Sequence, residues 1–319
     1  MSLDLAAIRA AHERIRPHIV RTPVLTNGAL DAATGGTLFF KCENLQQIGA
    51  FKARGAANAI FALTDAEAAR GVATHSSGNH AAAVARAARL RGIPAYIVMP
   101  ANSAKSKIRN VEREGGRITF CEPNDRARQE TCDRLIATTS AMMVHPFNDY
   151  RVMAGQGTAA LELLEDYPDL DLILCPVGGG GLLCGTAVAA KTLRPGIRVV
   201  ATEPAGADDA ARSFRAGRIT PAEKVDTIAD GLRTTVGPLN FPLIQQHVDE
   251  VVTVSEAGII SAMRLLWEEL KTPIEPSCAV PYAAIMEGRV RVAGLRTGII
   301  LTGGNVDLDA LPWAAKSAR

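Results

Sequence analysis

Leu172-Ile173-Leu174-Cys175-Pro176-Val177-Gly178-Gly179-Gly180-Gly181-Leu182 joins an apolar run to four consecutive glycines and then to an apolar, Ala-rich stretch ending at Leu193. The run shows no polar/apolar alternation, so it reads as a strand covered on both faces, the habit of parallel sheets. Leu182–Leu193 has the composition and length of a helix, which makes the whole a strand–loop–helix unit. Four glycines at that junction let backbone amides approach an anion that no Cβ would allow. A flexible hinge is their other use. No Lys-Ser/Thr follows them, which disfavours a nucleoside triphosphate. Gly179, Gly181 and Gly185, with Glu203 ending the next strand, partly imitate a dinucleotide site, although its last glycine is missing. A nicotinamide-dependent oxidoreductase therefore stands as a second class.

The same alternation extends in both directions. Candidate strands are 37–41, 72–75, 95–99, 117–120, 142–145, 172–177, 198–203, 250–254 and 298–302, with helical patterns such as 81–91, 126–137, 157–166 and 182–193 between them. Strands separated by helices of this length imply βαβ units, parallel sheet and an α/β fold. Ligands of such sheets sit beyond the carboxyl ends of the strands, so the loops that follow strands are where chemistry is expected.

Composition agrees with this class. The 319 residues are 47% hydrophobic, 21% charged and 4% aromatic, and 35 Lys+Arg against 33 Asp+Glu leave a net charge of +2. That excludes a disordered chain and gives no basic footprint for nucleic acid or membrane. Six scattered cysteines without a C-x-x-C pair read as buried thiols. No ~18-residue apolar stretch suggests a membrane span, and no apolar leader follows Met1, so a cytoplasmic location is expected.

Three further loops stand out. Ala50-Phe51-Lys52-Ala53-Arg54-Gly55 precedes an Ala-rich helix. A lysine at a helix start meets the positive end of the dipole, which lowers its pKa and suits a nucleophilic amine, with Phe51 beside it able to stack on a planar ring. Thr74-His75-Ser76-Ser77-Gly78-Asn79-His80 offers hydroxyls, an amide and a glycine at a helix N-terminus, either for an anion or as a plain N-cap. Leu301-Thr302-Gly303-Gly304-Asn305 ends a strand in a hydroxyl that can meet a ring nitrogen; a tight turn is the alternative.

Together the four loops, with Thr22-Pro23-Val24-Leu25, Ala154-Gly155-Gln156-Gly157-Thr158, Glu203-Pro204-Ala205-Gly206-Ala207-Asp208-Asp209 and Thr227-Ile228-Ala229-Asp230-Gly231, resemble a fold-type-II pyridoxal-phosphate enzyme of the serine racemase and serine/threonine dehydratase family, over nearly the whole chain. The resemblance implies the tryptophan synthase β-like fold. Its two open, twisted, mostly parallel sheets would be flanked by helices, with a large domain at 1–70 and 147–319 and a small mobile domain at 71–146. It implies pyridoxal 5'-phosphate joined to Lys52, with Phe51 against the ring, Asn79 at the phenolic oxygen, Gly178, Gly179, Gly180, Gly181 and Leu182 around the phosphate, and Thr302 at the pyridine nitrogen. Ser76, Ser77, Gly78 and Asn79 would hold the substrate carboxylate. Arg128 and Thr234 match substrate-contacting positions of the racemase branch. Ser77 matches that branch's base on the opposite ring face, which some 3-hydroxyaspartate dehydratases also keep. Glu203, the Ala207 carbonyl and Asp209 match a divalent-cation site for Mg²⁺ or Ca²⁺.

The implied activity is dehydration of a small β-hydroxy amino acid, L-serine or L-threonine first, to a 2-oxo acid and ammonia. Serine racemase and threo-3-hydroxyaspartate dehydratase are the alternatives, and a non-catalytic amino-acid binder is another class. A homodimer is expected. Ala50, Ala82, Phe147 and the stretch Glu275–Pro281 depart from the family pattern at positions near the pocket, which bears on substrate identity rather than cofactor binding. The chain ends at Arg319 without a regulatory domain, so control by isoleucine is not expected.

Overall fold

The computed structural model describes residues 2–76, 78–103 and 105–314. Among the described residues, ten strands fall into two sheets. They are β1 (Val24–Leu25), β2 (Thr37–Cys42), β3 (Val72–His75), β4 (Ala95–Pro100), β5 (Arg117–Cys121), β6 (Met142–Met143), β7 (Leu172–Pro176), β8 (Arg198–Pro204), β9 (Glu250–Val254) and β10 (Arg296–Leu301). The first sheet has the order β1-β2-β10-β7-β8-β9 and is parallel apart from β1. The second, β5-β4-β3-β6, is parallel throughout and takes all its strands from residues 72 to 143. The expected α/β fold with two mostly parallel sheets is present.

Burial on both faces follows from the period-two geometry of a strand. Along β7, Leu172 and Leu174 enter the core that includes Val200, Met263 and Tyr282, whereas Ile173 and Cys175 enter the core on the other face with Val199 and Leu183. All six cysteines are buried and unpaired, as expected. Among the described residues, no helix is long and apolar enough to cross a membrane.

Two sequence boundaries need correction. The helix expected to begin at residue 157 begins at Tyr150 and runs to Asp166, through Gly155 and Gly157. Glycine weakens a helix in isolation, but here it lets three helices touch. A Cβ on Gly155 would lie 2.6 Å from Gly55 Cα, and one on Gly185 would lie 2.5 Å from the Gly157 nitrogen. The strand expected over 142–145 pairs in register only through Met142 and Met143; the Val144 N–H still donates to the Ala73 carbonyl at 2.9 Å, but the Val144 carbonyl accepts from the Thr74 hydroxyl.

A buried charge cluster fixes the helix Lys52–Phe61 against this frame. Arg54 Nε lies 2.7 Å from Glu43 Oε2 and Arg54 Nη1 2.8 Å from Glu162 Oε1, while Lys41 Nζ lies 2.6 Å from Glu162 Oε2, all four side chains being fully buried. Two cations face two carboxylates, so the cluster is neutral, and Thr22 Oγ1 donates to Glu43 at 2.6 Å. It lies two residues past Lys52.

Candidate active site

Lys52 is the first residue of its helix, and Phe51 before it supplies no side-chain cap. The Phe51 N–H donates to the Thr302 carbonyl at 3.0 Å, and Ala50 bridges Gly303, so the start of this helix is sewn to the end of β10. Lys52 Nζ donates to the Pro146 carbonyl at 2.8 Å and sits 5.1 Å from the Phe51 ring centroid. Burial brings its pKa down to about 8, against the opposing pull of Glu275. Burial is thus the leading cause.

Glu275 stood in the sequence only within a stretch near the pocket that departs from the family pattern, with no role of its own. It precedes the helix Pro276–Met286, so Glu-Pro reads merely as a helix start. In the fold its carboxylate accepts from Asn79 Nδ2 at 3.0 and 3.1 Å. Burial and the negative charge of Asp230 push it up to about 7. Asn79 Oδ1 in turn accepts from Asn305 Nδ2 at 2.9 Å. The Thr-Gly-Gly-Asn loop is therefore part of the cleft wall and does not cap a helix.

Three histidines back the lysine. His145 Nδ1 accepts the N–H groups of Phe147 and Asn148 at 3.3 and 2.9 Å, which assigns its proton to Nε2 and shapes the loop presenting the Pro146 carbonyl. Burial, with His75 and Lys52 nearby, lowers His145 to about 4, and burial beside Lys52 lowers His80 to about 3. Both imidazoles stay neutral at physiological pH.

Two helices open into this region with glycine at the N-cap and, among the described residues, no side-chain cap. The helix Asn79–Arg91 begins after Gly78 and the helix Gly181–Leu193 after Gly180, and neither N-cap residue contributes a side-chain bond. Ser76 Oγ accepts from Gly78 N–H instead, so it is not the N-cap of that helix; Ser77 lies outside the described residues. First-turn amides have no intrahelical carbonyl to bond, and an anion satisfies them. Gly180 takes φ +98°, open to glycine and strained for other residues. A Cβ on Gly179 would lie 2.3 Å from the Phe147 ring.

Pyridoxal phosphate suits these residues on three counts. Thr302, the residue after β10, is buried and carries a neutral hydroxyl. The glycine turn and Leu182 offer open amides, and Lys52 is a buried amine of lowered pKa. Residues 15–303 match the family described as pyridoxal-phosphate dependent enzymes.

The chain belongs to that family.

It is 53% identical to β-hydroxyaspartate dehydratase of Paracoccus denitrificans (strain Pd 1222), over 95% of this chain and 96% of that protein. Maize serine racemase superposes with a TM-score of 0.95 at 47% identity, over 97% of this chain and 95% of that one. The serine racemase of Dictyostelium discoideum superposes with a TM-score of 0.92 at 46% identity, over 97% and 100%. A solved threonine deaminase superposes with a TM-score of 0.91 at 41% identity, over 96% and 99%.

The remaining expected residues divide. Thr234 lies against the glycine turn, its Oγ1 3.3 Å from a Cβ built on Gly178. Arg128 stands beyond the carboxyl ends of β4 and β5, lining a hollow with Pro100, Asn102, Pro123 and Asn124. Glu203 and Asp209 are both buried and close enough to raise the Glu203 pKa, with buried Ala207 between them in sequence. Glu203 accepts from the amides of Ala210 and Ala211 at 2.9 Å each, and Asp209 Oδ2 from Val236 N–H at 2.8 Å. Burial pushes Glu203 up to about 9 and Asp209 to about 6. Membership of the pyridoxal-phosphate dependent family removes the dinucleotide reading.

Proposed function

We propose that this protein is a dehydratase that converts a small β-hydroxy amino acid to a 2-oxo acid and ammonia. The observation that carries the reading is a lysine amine of lowered pKa at a helix start that the Phe51 N–H ties, at 3.0 Å, to the carbonyl of Thr302, a buried residue with a neutral hydroxyl at the end of β10. Lys52, Asn79, Thr302 and the Gly178–Leu182 turn would hold the cofactor, with Phe51 beside it. Bound pyridoxal phosphate supplies an electron sink that acidifies the substrate Cα–H and allows a β-substituent to depart.

The protein's own groups supply the rest. The amides of the Ser76–Asn79 loop hold the substrate carboxylate at an uncapped helix N-terminus. Lys52, neutral above about pH 8, takes the Cα proton on its own face. A hydroxyl at Thr302, in place of a carboxylate, would not protonate a ring nitrogen held there, which would favour departure of the β-hydroxyl. Residues 71–146 form a small domain that closes on the rest and excludes water. Glu203, the Ala207 carbonyl and Asp209 take Mg²⁺ or Ca²⁺, and two copies of the chain form a dimer.

Racemisation is the second reading, favoured by the hydroxyl at Ser77 and by the likeness to serine racemase. A base on the opposite face would return the proton with inversion. Incubation with L-serine, L-threonine and L-threo-3-hydroxyaspartate, with keto acid and D-enantiomer followed separately, tests the proposal. Keto acid as the main product is expected; D-enantiomer without keto acid overturns it.

A further inference from the structure

An ion pair crosses the cleft at a point that the proposed chemistry does not use. Lys107 lies on the helix Lys105–Arg113, between β4 and β5 of the second sheet; Asp230 begins the short turn Asp230–Leu232, between β8 and β9 of the first. Lys107 Nζ donates to Asp230 Oδ2. The pair stands over the substrate loop, since Lys107 Nζ is the nearest atom to a Cβ built on Gly78, at 4.0 Å. It also reaches the reacting end of the cleft. Asp230 raises the pKa of Glu275 and Lys107 lowers it, and Glu275 holds Asn79.

A monocarboxylic substrate brings one anion, which the loop amides can satisfy. A dicarboxylic substrate brings a second into a cleft already walled by Glu275 and Asp230. Like charges at such range are excluded unless a cation stands between them. Lys107 is that cation, and its pair with Asp230 is partly exposed, with side-chain exposures of 29% and 39%. A pair so exposed is weak, so its ammonium can change partners at little cost.

We infer that Lys107 is a specificity-determining residue: its ammonium leaves Asp230 to bind the β-carboxylate of a dicarboxylic, 3-hydroxyaspartate-like substrate. With a monocarboxylic substrate Lys107 stays on Asp230. The inference rests on the dehydratase reading for the fate of the β-hydroxyl, but recognition of the second carboxylate does not require turnover.

The test titrates the cofactor-loaded protein with L-aspartate and with L-alanine, neither of which carries a β-hydroxyl, and follows the absorbance of the bound cofactor. In Lys107→Met the ratio of L-aspartate to L-alanine affinity is expected to fall by about tenfold or more, the scale of one charge-assisted hydrogen bond. Lys107→Arg is expected to keep most of the ratio, and Asp230→Asn, which frees the ammonium, to raise it. A ratio that does not fall in Lys107→Met, or falls as far in Lys107→Arg, overturns the inference. Failure of the dehydratase reading shows separately, as the absence of keto acid when the unaltered protein meets 3-hydroxyaspartate.

Discussion

Lys52 must lose its proton to attack an aldehyde, and burial sets that loss at about pH 8. The rate at which cofactor-free protein takes up pyridoxal phosphate should therefore rise with pH and level off above about 8. Glu275 opposes the lowering, so Glu275→Gln should move the inflection to lower pH; stopped-flow absorbance across a pH series reads both. An inflection that stays put in the variant would show that Glu275 does not act on the amine. Lys52 stood out in the sequence because a lysine at a helix start faces the positive end of the dipole, and family resemblance gave it its expected role. Glu275 was not, since its meaning comes from Asn79, 196 residues away. His145 was silent for a similar reason: its task is to bond two backbone amides of the following turn.

Among the elements, the glycine turn and the helix it opens bear the most weight. Gly179→Ala would drive a methyl into the Phe147 ring, and either the ring or the turn must move. Cofactor affinity should fall by about tenfold or more, in keeping with about 1–3 kcal/mol for overpacking, read by equilibrium dialysis of pyridoxal phosphate. The helix Lys52–Phe61 depends on Arg54 and its two carboxylates. Glu162→Gln breaks a neutral cluster and strands a buried cation, so a loss of about 3–5 kcal/mol in unfolding free energy is expected in urea titration. A loss below about 1 kcal/mol, the scale of an exposed pair, would contradict a load on this cluster. Nine of the ten strands announced themselves by composition. β1 did not, because Val24–Leu25 is a two-residue run directly after Pro23, and the helix from Tyr150 was cut short because Gly155 and Gly157 lower local propensity. Only the packing of Gly55 and Gly185 against them explains why the helix persists.

Over the whole molecule, two sheets place the substrate loop, Lys107 and Arg128 on chain from one, and the glycine turn, Thr302 and Glu275 on chain from the other. The alternation of strands and helices made this architecture legible. The way separate loops meet at Lys52 was not legible from spacing, because it depends on strand order. Away from the cleft, the buried Glu203 and Asp209 should make stability cation-dependent. A chelator is expected to lower the melting temperature by several degrees and Mg²⁺ or Ca²⁺ to restore it, while Asp209→Asn should melt at one temperature in both conditions; identical melting of the unaltered protein with and without chelator would remove the cation from the account. The central claim is a covalent bond between Lys52 and the cofactor's aldehyde. Borohydride reduction of the loaded protein, followed by peptide mass analysis, should find the pyridoxyl group on the peptide bearing Lys52 and in no amount on Lys52→Ala; an unmodified Lys52, or a label on another lysine, would contradict it.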